Sequence, residues 1–145
     1  MVPNADCYCE IDPRVVDTYG IPVLRFHWKF TDYEYKQAKH MQDTFREIIH
    51  EMGGTPTSPM PTREQGYGLA NGGRIIHEAG TTRMGDDPKT SVVNKYCQAH
   101  EVRNLFIADG GPFVSNADKN ITWSILALSM RTSEYIVQER GKGTI

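Results

Sequence analysis

Apolar and polar positions alternate in IPVLRFHWKF (21–30), with Leu24, Phe26, Trp28 and Phe30 on one side and Arg25, His27 and Lys29 on the other. A period of two over that length predicts a half-buried strand with a polar outer face. It also makes His27 a surface or hydrogen-bonding residue rather than a ligand. The period changes in TDYEYKQAKHMQDTFREIIHEMGG (31–54). Tyr35, Ala38, Met41, Phe45, Ile48 and Met52 recur at intervals of three and four, which predicts a helix with one face toward a core. Thr31 and Glu34 supply a capping box at its start, and Gly53-Gly54 a stop at its end. His40 and His50 lack i, i+4 spacing and no cysteine joins them, so both are read as solvated.

Residues 55–68, TPTSPMPTREQGYG, carry Pro56, Pro59 and Pro61 and follow neither period. A loop of that length points to a functional segment rather than a tight connection. Further on, NLFIAD (104–109) reads as a buried strand ending in a Gly-Gly-Pro turn. ITWSILALSMRTSEYIVQ (121–138) is apolar nearly all round over its first turns, the pattern of a helix buried within a larger body. The chain has few other elements to enclose both that helix and a sheet, so it reads as part of something bigger.

Composition narrows the classes. The 145 residues are 39% hydrophobic and 23% charged, as in a globular domain with a modest core. A formal net charge of −2 gives no electrostatic reason to expect nucleic acid as a partner. No apolar run approaches the roughly 20 residues of a membrane span, and MVPNADCYCEIDPRVV lacks the basic and apolar regions of a signal peptide. Cys7, Cys9 and Cys97 form no CxxC spacing and are read as reduced and structural.

Motif by motif, the general catalytic signatures are missing: GxGxxG, GxxxxGK[ST], GxSxG and HExxH do not occur. GTTRMG has glycine at both ends but no Lys-Ser/Thr after it, which excludes a P-loop. NIT at 120–122 fits a glycosylation sequon, yet it opens an apolar helix in a chain with no sign of secretion.

What remains is an ordered set: His77, GTTRMG (80–85), DPKTSVVN (87–94), NLFIADGG (104–111) and KNITWSILALSMRTSEYI (119–136). In this order and spacing the set resembles the C-terminal part of the glucose–methanol–choline (GMC) family of FAD-dependent oxidoreductases. DPRVVDTYGIPVLRFHW (12–28) is similar to the lead-in of the branch containing gluconate 2-dehydrogenase flavoprotein subunits. The family's dinucleotide-binding GxGxxG unit lies hundreds of residues earlier, so the resemblance implies a terminal portion without that unit.

The resemblance implies an α+β fold. Residues 1–76 would be a portion of the substrate domain, an antiparallel sheet with flanking helices. Residues 77–145 would be the catalytic, FAD-contacting segment with the last strand and helix of the FAD-binding α/β domain. The implied activity is oxidation of a CH–OH group of an alcohol, sugar or polyol, with hydride passing to flavin N5. His77 falls at the catalytic-base position, where a group that titrates near neutral pH suits removal of a hydroxyl proton. Asn120 falls at the second active-site position and can donate to the substrate oxygen as it gains charge; a helix cap is its plain structural reading. Asp109, Gly110 and Gly111 would bring their backbone to the FAD, with Ile121 and Thr122 meeting the flavin N1/C2=O edge. Arg83 reads as structural, paired with Asp86, Asp87 or another carboxylate. SNADKNITWS departs from the commoner Gly-Asn-Thr-Asn-Ala-Pro type of run, with Ile121 where proline is frequent and Lys119 adding charge, and this bears on substrate choice.

The partners implied are a small alcohol or sugar substrate, the N-terminal part of the same polypeptide and an electron-transfer subunit. A dehydrogenase is preferred to an oxidase, and the compartment, cytoplasmic or periplasmic, is left to the N-terminal part. The competing expectation is a non-catalytic fragment or interaction module without its own flavin.

Overall fold

The computed structural model describes residues 3–74, 76–116 and 119–145. Ile75, just before the His77 segment, and Ala117-Asp118 of SNADKNITWS lie outside them. The described residues form a two-stranded antiparallel ribbon, two long helices and a long irregular stretch between the helices, an α+β arrangement.

Strands β1 (Tyr8–Val16) and β2 (Pro22–His27) pair with Tyr8 opposite His27, Cys9 opposite Phe26, Glu10 opposite Arg25 and Ile11 opposite Leu24. The reversal is built on Asp17, whose Oδ1 accepts from Tyr19 N and Ile21 N at 2.8 and 3.0 Å. Gly20 supplies the positive φ of +80° that the turn requires. Pairing is irregular between Ile11 and Val16, around Pro13, which has no N–H to give to a ladder. Asp12 compensates: Oδ1 accepts from Arg14 N at 2.8 Å and Val15 N at 3.2 Å, while Oδ2 accepts from Arg25 Nε at 2.9 Å.

The backbone N–H of Arg14, followed by the Arg25 guanidinium, holds the Asp12 carboxyl below its ordinary value despite burial. A carboxyl lowered in the folded state stabilises above its unfolded pKa, near 3.8, and loses that contribution as pH falls through the folded value. Acidification below that point is therefore expected to lower the unfolding midpoint of the wild type more steeply than that of Asp12→Asn. Thermal unfolding followed by circular dichroism across pH 2 to about 6 checks this.

The alternation read in 21–30 is present, but the strand ends at His27 and its apolar side is open. Ile11, Leu24 and Phe26 are 66%, 54% and 60% exposed. The polar side is the better covered, because Tyr8 stacks on His27 at 4.3 Å and His27 Nε2 lies 2.8 Å from Glu10 Oε1.

Helix α1 (Asp32–Glu51) has the expected capping box: Tyr33 N donates to Thr31 Oγ1 and Thr31 N donates to Glu34 Oε2 at 2.9 Å. It ends in a Schellman closure, with Gly53 N to His50 O at 2.9 Å and Gly54 N to Ile49 O at 2.8 Å. His40 and His50 are exposed as read. The apolar stripe forms, yet only Ala38 on it is buried, and Met41, Phe45 and Ile48 are about half exposed. The core it was expected to face is absent among the described residues. Residues 55–61 lead from the end of α1 to a tight turn at Gly66–Gly68 that packs on the helix beside Tyr35.

Helix α2 (Thr122–Lys142) runs four residues beyond the predicted 138. One face packs on the irregular stretch: Thr132 Oγ1 donates to Tyr96 O at 3.1 Å and Tyr135 stacks on Tyr96 at 4.0 Å. The opposite face, Trp123, Leu126, Met130 and Val137, is exposed. Segment 104–109 is not a regular strand; only Phe106 bridges, to Gln98. A strand needs a neighbour along its length, and one bridge partner is all that the described residues supply there.

The small core sits between these parts, with Val93, Cys97 and Pro112 fully buried. Asn94 Oδ1 accepts from Tyr96 N and Gln98 N, tying a turn in which Cys97 takes a φ of +59°. Cys97 is a buried free thiol, in keeping with a structural role.

Candidate active site

The GTTRMG and ADGGP segments lie side by side. Gly80 N donates to Gly110 O, Thr82 N to Gly111 O and Met84 N to Pro112 O, at 3.1, 3.1 and 3.0 Å. Two segments bonded at every second residue of GTTRMG in this way approach closely along their backbones. At Gly80 (φ +90°) an added Cβ would meet Phe113 O at 3.1 Å, and at Gly110 it would meet Ile121 Cδ1 at 3.2 Å and Glu78 O at 3.5 Å. Gly110 is thus the meeting point of the residue after His77 and the first residue of the α2 cap. Asn116 Nδ2 contacts His77 O at 3.4 Å.

The structure therefore brings together the segment that carries His77, the Asp109–Gly111 turn and the start of α2. His77 and Asn120 are exposed, and neither lines either of two open clefts elsewhere on the described residues. Those measure about 440 Å³ at Arg46 and 56–60 and about 330 Å³ between 94–103 and the end of α2.

Asp109 turns inward on its own loop, its Oδ1 accepting from Gly111 N at 2.7 Å. Gly111 has a reason to be glycine inside the protein: a Cβ there would sit 2.2 Å from the buried Thr82 Oγ1 and 2.9 Å from Asp109 Oδ1. Gly111→Ala is expected to destabilise by about 1–3 kcal/mol through overpacking. Adding Thr82→Ala should recover much of that loss, measured as the denaturant midpoints of the two variants.

The start of α2 differs from that of α1. Its cap residue is Ile121, with no side-chain hydrogen bond, and its first turn contains no acidic residue. Ile121 itself has helical backbone (φ −85°, ψ −12°), and Asn120 immediately precedes it. The first amides of a helix lack intrahelical partners and carry partial positive charge. In α1 a side-chain cap and two acids answer them; among the described residues of α2 the cap residue makes no side-chain hydrogen bond and the first turn holds no acid.

Arg83 is structural as read, but its guanidinium donates to the carbonyl of Thr90 rather than to a carboxylate. Sequence reasoning missed the contacts of Ile125 and Glu78 with Gly110, and Asn116 beside His77. Ser91, whose Oγ donates to Asp87 O at 2.6 Å and lies 2.9 Å from His100 Nε2, fixes the turn after GTTRMG. Among the described residues no group of His, Cys, Asp and Glu is placed to hold a metal ion.

This clasp of two glycine-bearing segments at an uncapped helix start carries the motifs of an oxidoreductase family. The GMC oxidoreductase family pattern matches residues 3–129, and the chain belongs to that family. It is 32% identical over 126 residues to a 2-methyl-1,2-propanediol dehydrogenase of Mycolicibacterium austroafricanum, covering 87% of this chain and 22% of that protein. It is 32% identical over 143 residues to a fructose dehydrogenase large subunit of Gluconobacter japonicus, covering 99% and 25%. A gluconate 2-dehydrogenase flavoprotein of Pantoea cypripedii is 28% identical over 138 residues, covering 91% and 22%. The chain spans about a quarter of the length of these curated relatives. No helix among the described residues is long and apolar enough to cross a membrane.

Proposed function

We propose that this chain is the C-terminal, substrate-side portion of an FAD-dependent oxidoreductase that acts on the CH–OH group of an alcohol, sugar or polyol. The observation that carries this reading is the uncapped start of α2, set against Gly110 beside the His77 segment. Its unanswered amides suit an anionic acceptor, and the residues there fit a flavin edge. Ile121 and Thr122 would offer those amides, and the backbone of Asp109, Gly110 and Gly111 would face the cofactor.

Bound FAD would supply the hydride acceptor for the substrate carbon. His77 takes the hydroxyl proton. Its ring is exposed and its backbone is fixed downstream through Asn116 and the Gly80–Gly110 bond. The Asn120 amide, which makes no hydrogen bond to another described residue, donates to the substrate oxygen as negative charge builds on it. That preorganised donor favours the transition state over the bound alcohol.

In this reading residues 1–76 belong to a substrate domain and 77–145 to a catalytic segment completed by an upstream FAD-binding unit. The open ribbon face and the exposed stripes of α1 and α2 support it, since patches of that extent mark surfaces that another body covers. An electron-transfer partner is part of the same proposal, by likeness to relatives named as a large subunit and a flavoprotein.

The alternative, a flavin-free module, draws on the exposure of His77 and Asn120 among the described residues. Joined to an upstream FAD-binding part, the protein is expected to purify yellow and to bleach under anaerobic conditions with a polyol or sugar, while the 145-residue chain alone purifies colourless. A joined protein that binds FAD but bleaches with no CH–OH donor contradicts the proposal.

A further inference from the structure

Two non-glycine residues among those described adopt left-handed backbone, Cys97 and Tyr67. Cys97 is accounted for by the buried Asn94 turn. Tyr67, at φ +50°, stands between Gly66 at +62° and Gly68 at +76°, three left-handed residues in a row. A tyrosine there is less favourable than a glycine and persists only where its surroundings hold it.

The surroundings are specific. Tyr67 N donates to Thr62 O at 2.9 Å, and Tyr67 O accepts from Gln42 Nε2 of α1 at 2.7 Å. Gln42 is a half-buried polar residue next to the apolar stripe of α1, and this bond is the one that ties it to the loop. Beyond the turn, Gly72 lies flat against Trp28, where a Cβ would come within 3.1 Å of the indole. Five residues further on is His77, whose backbone is fixed from the other side by Asn116 and by the Gly80–Gly110 bond.

We propose that Gln42 is a positioning residue for His77: by holding Tyr67 in its left-handed conformation it sets the path by which the chain leaves α1 for the active site. This rests on the reading of His77 as the base. Gln42 touches neither substrate nor cofactor in this account, and acts by fixing where the His77 ring stands relative to the substrate hydroxyl. Proton removal depends steeply on that geometry, an ångström of misplacement costing on the order of a hundredfold.

The test is made in the flavin-loaded full-length enzyme, by stopped-flow reduction of the flavin with saturating sugar or polyol. Gln42→Leu, which keeps the bulk and loses the donor, is expected to slow reduction by about tenfold or more. Substrate KM, FAD content and the shape of the pH profile should stay as in the wild type. Tyr67→Gly in the Gln42→Leu background is expected to restore much of the rate, since glycine takes the left-handed conformation unaided. Reduction at the wild-type rate in Gln42→Leu overturns the proposal, as does a loss that follows FAD release or a lowered unfolding midpoint. If His77→Ala slows reduction while Gln42→Leu does not, the positioning role alone fails. If neither slows it, the base assignment fails first.

Discussion

His77→Ala, in the flavin-loaded enzyme, is expected to lower the rate of flavin reduction by about 10²- to 10⁴-fold while FAD content stays at the wild-type level. The size follows from what the substitution removes. A positioned general base assists departure of the hydroxyl proton as hydride leaves the same carbon, and water is a poor substitute. FAD content should hold because the groups assigned to the cofactor are the backbone of Asp109–Gly111 and the amides of Ile121 and Thr122. The His77 side chain takes no part in the Gly80–Gly110 and Thr82–Gly111 bonds that shape the turn. Stopped-flow absorbance at the flavin band gives the rate, and the released chromophore gives the content. Reduction within a few-fold of wild type would remove His77 from the chemistry.

Thr122→Asp should act in the opposite direction on fold and on function. The first turn of α2 lacks both a side-chain cap and an acidic residue. A carboxylate there answers the free amides and the helix dipole, stabilising the helix by about 0.3–1 kcal/mol. It also sets a fixed negative charge at the point proposed to receive the flavin edge. FAD affinity is therefore expected to fall by tenfold or more, about 1.4 kcal/mol, in an apoenzyme whose unfolding midpoint is unchanged or higher. Flavin fluorescence titration and apoenzyme thermal unfolding read the two effects separately. A site with no cofactor role would show the gain in stability alone.

The parts of this fold that were legible in the sequence are those whose causes are local. The Thr31–Glu34 box and the Gly53-Gly54 closure fix both ends of α1 within a few residues, and the structure has both. The period of two in 21–30 located β2, but not which of its faces is covered. That depends on what packs against it, and among the described residues little packs on Leu24 and Phe26. β1 escaped because Pro13 and Asp12 break its pattern; it holds together through the Asp12 carboxylate and Arg25, a pairing visible only in space. The NLFIAD segment has the composition of a buried strand, yet composition supplies no neighbour.

For the site, GTTRMG and ADGG carry no chemistry individually. Their order drew attention to His77 and Asn120. What the sequence could not supply is the ladder from Gly80 to Gly110, the seating of Ile121 against Gly110, or the missing cap at α2, all contacts between segments far apart in the chain. Arg83 shows the limit at one residue: the expectation of a structural role held, while its partner proved to be a backbone carbonyl.

The most direct measurement is the pH dependence of flavin reduction in single-turnover mixing with saturating substrate, compared between the wild type and His77→Ala. The account predicts that the wild-type rate rises with pH through one ionisation, and that this ionisation is missing from the slow residual rate of His77→Ala. The same ionisation in both proteins would assign the proton to another group and contradict the account.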